Sequence, residues 1–517
     1  MSKNRLSFLS TCLLIIASLA SNQAARAGAA PASSIGPIGP AITLTGGVAG
    51  PRFPADKATN VNPDTHLFLT FATPPKLGTT GLIRIYDASN DQLVDTLDLS
   101  IPAGPHTAQQ ATAPGATAPG AYQLTVIGGF KEGFHFYPVI INDNTATIYP
   151  HNNILTYGKT YYVQIDPSVL NLDDGSFKGF DGKAGWTFTT KKSPPDNNST
   201  VLSVAADGSG DFNTVQGAVD FTPDKSDRRI NITIRNGSYQ EIVYFRNKTN
   251  LTFLGQEREK VIVGYANDQN FNVYAPGTTT NELPNTFPYR RVAFMADHSS
   301  GIHLVNFTIK NLMVNGAQCE ALLLMGGENI VSHVSLYGHT DTLQFNDSVY
   351  ITDSYIEGGG DFIWGRGPAF FNNCEIKELA GSAMMWVRST AATHGFVFLN
   401  CKMEATGGRA IIARNTAQYP NSEVVLLNCA LGEYSPTGFT LAGDTTNQHY
   451  WEFNSTNLSD GKPADVSRRN SGSKQLDKEK DAETIANYSN PTYVLGGWTP
   501  KLETWVLDFL HGDTSRF

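Results

Sequence analysis

The chain has 517 residues, with 38 Lys and Arg against 47 Asp and Glu, and this length allows two or three domains with substantial cores. With 40% hydrophobic and 16% charged residues, the composition argues against a disordered chain. A net charge of −9 without a long Lys/Arg run argues against nucleic acid as a partner, because phosphates attract a basic surface. Composition alone names no function.

The first 27 residues have the pattern of a secretory signal peptide. Lys3 and Arg5 precede an apolar run at residues 8–20, and Ala-Arg-Ala at residues 25–27 is typical of a cleavage site. A membrane anchor is the alternative, but the apolar run is short and no stop-transfer pattern follows it. We therefore predict a secreted protein, extracellular or periplasmic, without membrane insertion. The mature chain keeps 35 basic and 47 acidic residues, a net charge of −12.

The sequence pattern of residues 42–192 predicts a β-sandwich. Residues 28–41 are rich in Ala, Gly, Pro and Ser and are predicted to be a linker. Within residues 42–192, short β-rich segments at 66–71, 82–86, 122–127, 160–165 and 186–190 are separated by turn residues. Residues 54–75 resemble bacterial Ig-like modules of secreted enzymes, which implies a spacing or adhesive role. Residues 193–200 are predicted to be a second linker.

A repeat dominates residues 201–517. Five-residue segments end on an apolar residue at 309, 336, 356, 376, 403 and 431, so that the intervals are 27, 20, 20, 27 and 28 residues. Repeats of this length with short β segments favour a parallel β-helix. A capped helix at Val215–Phe221 is predicted to close its open end. Three Cys recur at one position of the repeat, and packing of these Cys is favoured over a disulfide. The Asn that precedes each of them is expected to form a polar ladder inside the bends.

Two carboxylates fall one repeat apart. Asp341 and Asp361 each lie five residues after the final apolar residue of a repeat. If the coils are in register, the two residues lie on adjacent rungs, about 4.8 Å apart. Carboxyl groups that close do not both ionise readily, so one is held as an acid while the other acts as nucleophile or base. A pair of solvated turn residues is the alternative, and spacing alone leaves both interpretations open.

Residues 361–365, Asp-Phe-Ile-Trp-Gly, resemble the Asp-Phe-Ile-Phe-Gly signature of the pectinesterases. Further matches to the family lie on both sides of this signature and in the family's order, at residues 204–216, 237–241, 318–322, 341–343 and 371–376. The resemblance implies an all-β fold, a right-handed parallel β-helix here preceded by the Ig-like β-sandwich. It also implies a secreted aspartyl esterase that converts methyl-esterified homogalacturonan (pectin) to pectate and methanol, as a monomer and without a cofactor.

The resemblance also implies roles for individual residues. Asp361 would attack the ester carbonyl, while Asp341 would protonate the leaving methanol and then activate water. Gln318 would donate a hydrogen bond to the oxyanion. Arg414 would keep Asp361 ionised, although without the family match a surface arginine at a bend is the favoured interpretation.

Two departures from the family pattern concern substrate contacts. Thr340 replaces a Gln that would be a second oxyanion donor, and Thr416 replaces a Trp that would be a platform for a sugar ring. Trp364 is predicted to supply an aromatic face instead, with Trp386, Phe439 and Tyr419 as further candidates.

Three alternatives to a pectin methylesterase remain open at this point. One is another β-helix polysaccharide enzyme, although a hydrolase needs a wider carboxylate pair and a lyase needs clustered carboxylates for Ca²⁺. The second is a secreted polysaccharide-binding protein with a decayed site. The third is an esterase for a different ester. No metal-ligand spacing is present in the sequence.

Overall fold

The computed structural model describes residues 52–515, apart from residues 117, 132, 273–289, 314–316 and 406. The predicted signal peptide (residues 1–27), the first linker (28–41) and residues 42–51 of the predicted sandwich lie outside the described residues. No helix in the described residues is long and apolar enough to cross a membrane.

The N-terminal region consists of two main β-sheets around a shared apolar core. Its strands alternate, as in Leu82–Asp87, where Ile83 and Ile85 are buried and the residues between them are partly exposed. In spatial order, one sheet contains Arg52–Phe53, Leu67–Thr70, Thr145–Ile148 and Val139–Asn142, and the other contains Ala58–Val61, Thr187–Thr190, Thr160–Ile165, Leu82–Asp87 and Gln92–Asp98. Lys76–Leu77 pairs with Leu170–Asn171, Leu124–Thr125 pairs with Phe134–His135, and Ala108–Ala111 is a single helical turn. The predicted β segments overlap these strands, whereas the Ig-like assignment and the domain boundaries stay predictions.

The rest of the chain winds through three parallel sheets, which confirms the predicted parallel β-helix. The first sheet contains Val201–Val204, Ile230–Ile234, Leu251–Gly255, His303–Val305, Asn329–Ser332, Val349–Thr352, Ala369–Asn372, Phe396–Leu399, Glu423–Leu427, His449–Phe453 and Lys474–Gln475. The second contains Gly237–Gln240, Val261–Tyr265, Thr308–Asn311, Ser335–Tyr337, Tyr355–Gly358, Glu375–Glu378, Lys402–Glu404, Ala430–Leu431 and Thr456–Asn457. The third contains Val243–Arg246, Phe294–Asp297, Leu322–Leu324, Leu343–Phe345, Ile363–Gly365, Ala383–Val387, Ile411–Arg414 and Phe439–Thr440. The helices are Val215–Phe221, Ala482–Tyr488, Pro491–Val494 and Thr504–Leu510.

Equivalent side chains of successive coils stack inside the β-helix. Ile351, Phe371, Phe398 and Leu426 are register partners in the first sheet, and all four are buried. The rings of Phe371 and Phe398 are stacked, with centroids 4.3 Å apart. Because every coil repeats this arrangement, the core is continuous and fixes the position of each coil relative to the next.

One corner of the coils explains the repeated Asn-Cys pair. Asn373, Asn400 and Asn428 have φ angles of 53°, 56° and 54°, a left-handed conformation that Asn tolerates. The following Cys points inward in each case, and Cys374, Cys401 and Cys429 are buried and unbridged. The Asn side chains are exposed and bond along the corner, as in Asn428 Nδ2 to Asn400 Oδ1 at 3.5 Å. The prediction of packed cysteines is confirmed, whereas the polar ladder lies on the outside of the bend because the left-handed turn directs it there.

The predicted helix Val215–Phe221 lies at the start of the β-helix and links it to the N-terminal region. Its N-cap is Thr214, whose side chain accepts a hydrogen bond from the Gly217 amide. Asp64 Oδ2, from the N-terminal region, accepts from the backbone amides of Asn213 and Thr214 at 2.9 and 2.8 Å. Glu241 accepts from two further amides of the same helix start. The two regions are therefore joined by buried polar contacts at this helix.

The apolar contact between the two regions covers the first coils of the third sheet. On the outer face of that sheet, Tyr244, Met295 and Leu323 are register partners, and they share one buried cluster with the N-terminal sheets. The next register partners, Gln344 and Trp364, are not part of that cluster. The N-terminal region thus covers the outer face of the first coils of this sheet and does not cover that of the later coils.

Asp64 makes folding stability depend on pH. Burial raises the pKa of Asp64 to about 6, despite the hydrogen bonds from Thr214 and Asn213 that oppose the shift. Because the carboxyl pKa is higher in the folded protein, its contribution is complete below about pH 4 and is lost as the pH rises to about 6. Over this pH range we expect the unfolding free energy of the wild type to fall by about 1–3 kcal/mol relative to that of Asp64→Asn, as measured by urea unfolding. The exposed Asp174→Asn is the control, and equal midpoints at all pH values would contradict the role of Asp64.

Candidate active site

A row of polar and aromatic side chains lies on the outer face of the third sheet. Trp364, Trp386 and Arg414 are register partners on three successive coils, and Gln344 precedes them in the same row. Since side chains alternate between the two faces of a strand, the neighbours Ile363 and Gly365 take the opposite orientation. This row, which begins where the N-terminal region ends, forms the floor of the candidate site.

Asp341 and Asp361 lie at the corner that leads into the third sheet. Each precedes its strand by two residues, and the two strands are in register at Leu343 and Ile363. The φ angles of the two Asp residues are 66° and 50°, and Asp is among the residues that tolerate this left-handed region. The Asp341 amide donates to Gly360 O at 3.4 Å, which links the two corners directly. The structure thus brings the two residues together on adjacent coils, as their spacing predicts.

Asp361 is paired with Arg414. Arg414 Nε donates to Asp361 Oδ1 at 2.8 Å, and Arg414 Nη2 donates to Asp361 Oδ2, which makes a two-pronged ion pair. These hydrogen bonds raise the pKa of Arg414 above its ordinary value. The Asp361 side chain is 19% exposed, so it is accessible from the cleft while its orientation is fixed.

Asp341 has a different environment from its neighbour. It is only 3% exposed, and its Oδ2 lies 3.4 Å from Nη2 of Arg291, whose main partner is the fully buried Glu320. Burial, together with the negative charge of Glu320, raises the pKa of Asp341 to about 8, although Arg291 opposes the shift. Two neighbouring carboxyl groups are therefore held in unlike states, one paired with a cation and the other favouring its proton.

Gln318 lies beside this pair on the preceding coil. Its backbone forms a parallel bridge with Thr340, which directly precedes Asp341 in the chain. Arg291 Nη1 donates to Gln318 Oε1 at 2.5 Å, and because a guanidinium only donates, this contact fixes the orientation of the amide. The Gln318 Nε2 group is then the end of the amide that faces away from Arg291.

The aromatic rings of the floor form a stack with a second arginine. Trp364 and Trp386 are stacked with centroids 6.2 Å apart, and Cζ of Arg388 lies 3.4 Å from the Trp386 centroid and 4.4 Å from that of Trp364. Trp364 is 3% exposed, so little of its ring is accessible, whereas Trp386 is half-buried. Trp386 also lies under Arg414, at 4.5 Å.

The two threonines that depart from the family pattern both lie near the cleft. Thr340 is half-buried, and its hydroxyl is 3.2 Å from Nδ1 of His339. Thr416 lies two residues after Arg414, and within the described residues its hydroxyl is buried without a hydrogen-bond partner. Neither side chain has the reach of the Gln or Trp that it replaces.

Sequence reasoning missed three charged residues of the site, namely Arg291, Glu320 and Arg388. A signal was present for one of them, because Glu320 interrupts the apolar run at residues 319–324 and a buried charge needs a partner. Its partner Arg291 lies 29 residues earlier, and no pattern relates the two positions. In the part of the chain that the structure describes, no group of three or more His, Cys, Asp or Glu is arranged to hold a metal ion.

Comparison with known proteins finds one family for the β-helix region. A family model described as Pectinesterase matches residues 201–494. "Pectinesterase QRT1" of Arabidopsis thaliana is 29% identical over 287 residues, which are 52% of this chain and 73% of the relative. "Pectinesterase 2" of Olea europaea is 28% identical over 255 residues, 47% of this chain and 65%, just under two thirds, of the relative. The solved structure "Pectin methylesterase from Carrot" is 22% identical with a TM-score of 0.47, over 57% of this chain and 93% of that one. The family model covers more than half of the chain, and this protein belongs to the pectinesterase family.

Proposed function

We propose that this protein removes methyl esters from homogalacturonan and releases methanol and pectate. The observation that carries the proposal is the pair of adjacent carboxyl groups in unlike environments, Asp361 bound to Arg414 and Asp341 buried beside Glu320. Ester hydrolysis by two acidic residues needs such a difference, because one must attack as an anion while the other donates a proton. We also propose that residues 1–27 direct the protein out of the cell.

In the first half of the proposed reaction, a carboxylate oxygen of Asp361 attacks the carbonyl carbon of the methyl ester. The negative charge moves to the former carbonyl oxygen, where Gln318 Nε2 donates a hydrogen bond. As the tetrahedral intermediate collapses, the bond to the methoxy group breaks and Asp341 gives its proton to that oxygen, so that methanol leaves. The product is an anhydride between Asp361 and the galacturonate carboxyl group.

In the second half, Asp341 is an anion and acts as the base. It takes a proton from a water molecule, whose oxygen attacks the galacturonate carbonyl of the anhydride. The bond to Asp361 breaks, Asp361 returns to the carboxylate state held by Arg414, and Asp341 again carries a proton. Two adjacent coils, about 4.8 Å apart, suit this exchange, whereas an inverting glycosidase needs carboxyl groups about 6.5–9.5 Å apart.

Several cleft residues are proposed to position the substrate. Trp386 is half-buried, contacts Arg388 and Arg414, and is proposed to offer the accessible aromatic surface that Thr416 lacks. We propose Trp386 for this role in place of Trp364 because Trp364 is more deeply buried. Thr340 is proposed to face the oxyanion beside Gln318, where its short hydroxyl makes a weaker contribution than an amide would. Arg291 is a positioning residue, since it holds Gln318 and Asp341 without reaching the reacting atoms.

The proposed acid makes activity depend on pH. Asp341 must carry its proton to release methanol, so we expect kcat/KM to fall as the pH rises through about 8. Glu320→Gln removes a negative charge that raises the pKa of Asp341, and the alkaline limb should move by about one pH unit to lower pH. The exposed Glu328→Gln is the control, and an alkaline limb that is identical in all three proteins would contradict the assignment.

The proposal is tested by assaying methanol release from pectin of high and low methylation with the purified full-length protein. We expect release in proportion to the methyl-ester content. Hydrolysis of a different ester with no methanol from pectin would favour another substrate, which the replacements at Thr340 and Thr416 would explain. Binding of the polymer with no hydrolysis would favour a non-catalytic polysaccharide-binding protein.

A further inference from the structure

A second cleft lies around the corner from the proposed active site. It has a volume of about 870 Å³, within the range of clefts that hold ligands in proteins. The cleft opens between the C-terminal helices, Ala482–Tyr488 and Pro491–Val494, and the first residues of two neighbouring strands of the first sheet, Glu423 and His449. One wall is the turn that carries His394, six residues after Arg388 of the proposed active site.

The base of this cleft is a fully bonded carboxylate. Glu423 accepts hydrogen bonds from Nδ1 of His394 at 3.1 Å, Nδ1 of His449 at 2.7 Å and the Tyr488 hydroxyl at 2.7 Å, and the Gly395 amide adds a fourth. Burial raises the pKa of this carboxyl, but the hydrogen bonds from the two His and the Tyr outweigh it and lower the pKa to about 2. Glu423 is thus a fixed anion that orients both imidazole rings, and their Nε2 atoms lie on the side away from it.

Aromatic rings line the same cleft. Tyr493 is 41% exposed and packs against His394, with centroids 4.7 Å apart. Trp451 is half-buried and stacks on His449, with centroids 4.2 Å apart, and it also contacts the ring of Tyr488 edge-on. The rings are held by one another and by the apolar cluster beneath the C-terminal helices, so they are ordered before any ligand arrives.

Uncharged polar side chains complete the lining. Asn421, Asn447 and Asn487 all face the cleft. Amides and imidazoles donate and accept hydrogen bonds, as sugar hydroxyls require, while aromatic faces pack against the C–H faces of a pyranose ring. Glu423 itself is unavailable to a ligand because its oxygens are already bonded, so this chemistry suits binding.

We propose that this cleft is a saccharide-binding site that holds a segment of the pectin chain outside the Asp341–Asp361 cleft. This inference rests on the proposed function for the identity of the polymer. The short connection from Arg388 to His394 joins the third sheet, which carries the active-site row, to the first sheet, which carries this cleft, so that a polymer chain bound in the cleft is held near the catalytic pair.

Titration calorimetry with trigalacturonate tests the proposal on the full-length protein. We expect two binding sites in the wild type, and in Tyr493→Ala we expect one of them to weaken about 3- to 10-fold, the effect of losing an aromatic contact. Tyr493→Phe keeps the ring and should bind as the wild type does. Trp386→Ala should weaken the other site, and Leu507→Ala, on the last helix, is the surface control.

Asn447→Ala, at an exposed position, provides a second variant of the cleft that does not disturb packing, and it should weaken the same site as Tyr493→Ala. The methyl-esterified trimer, titrated into Asp361→Asn protein, distinguishes esterified from free stretches of the polymer. Unchanged affinity and stoichiometry in both Tyr493→Ala and Asn447→Ala would overturn the proposal. Absence of methanol release would instead overturn the proposed function, since trigalacturonate binding is measured without turnover.

Discussion

Replacing Asp361 with Ala or Asn is expected to reduce methanol release from methyl-esterified pectin at least about 10⁴-fold, the loss typical when a nucleophile is removed. Ala has no oxygen to attack the ester, and the Asn amide is a far weaker nucleophile than a carboxylate. The measurement is kcat/KM from the initial rate of methanol release at several pectin concentrations. Asp361 has a left-handed φ angle of 50°, which Asn tolerates better than Ala, so the Asn variant should keep the unfolding midpoint closer to that of the wild type.

The control for this experiment is Asp353→Asn. Asp353 has the same left-handed conformation, with a φ angle of 51°, at another corner of the β-helix. Its replacement should leave the rate within about twofold of the wild type. Full activity of the folded Asp361→Ala protein would contradict the mechanism, whatever the control shows.

Replacing Arg291 with Ala is expected to lower the unfolding free energy by about 3–5 kcal/mol. The reason is that Glu320 is 0% exposed and Arg291 is its ion-pair partner, so the substitution leaves a buried charge without compensation. Gln318 also loses the contact that orients its amide, and methanol release should fall with it. Urea unfolding monitored by tryptophan fluorescence measures the first effect.

A double variant separates charge from packing at this position. Arg291→Met with Glu320→Leu removes both charges and retains apolar volume, so most of the lost stability should return while activity stays low. Lys402→Ala is the matched control, because its ion pair with Glu375 is 61% and 58% exposed and should contribute at most about 1 kcal/mol. If Arg291→Ala is as stable as Lys402→Ala, then Glu320 is not held as a buried anion.

The proximity of Asp341 and Asp361 was predictable because, in a solenoid, residues separated by one repeat length lie next to each other in space. Asp341 and Asp361 are twenty residues apart, and the two repeats around them have that same length, so the coils stack in register. The interval alone could not assign different roles to the two carboxyl groups. That difference comes from Arg414 and Glu320, on coils whose lengths vary.

The Arg291–Glu320 pair could not be read from the sequence for the same reason. The interval between these residues spans coils of unequal length, and the register of an irregular coil depends on loops that carry no periodic signal. Glu320 was visible as a charge within an apolar run, but the pattern did not indicate its partner. Buried ion pairs of this kind are a property of tertiary packing.

The contact between the N-terminal region and the β-helix also could not be predicted from the sequence. The alternating strands indicate which residues are buried, but not whether they are buried within one sheet pair or against another part of the chain. Tyr244 and Phe271 belong to the β-helix region, yet they pack into the same cluster as Phe130 and Tyr137. A spacing or adhesive role for the N-terminal region stays a prediction, and its contacts with the third sheet make it a part of the structure next to the cleft.

The central claim, ester hydrolysis without cleavage of the polymer, is tested most directly by measuring methanol and new chain ends in one reaction on highly methylated pectin. The two adjacent carboxyl groups predict methanol in proportion to the carboxylates formed, with no increase in reducing or unsaturated ends. New chain ends without methanol would contradict the account and indicate a hydrolase or a lyase.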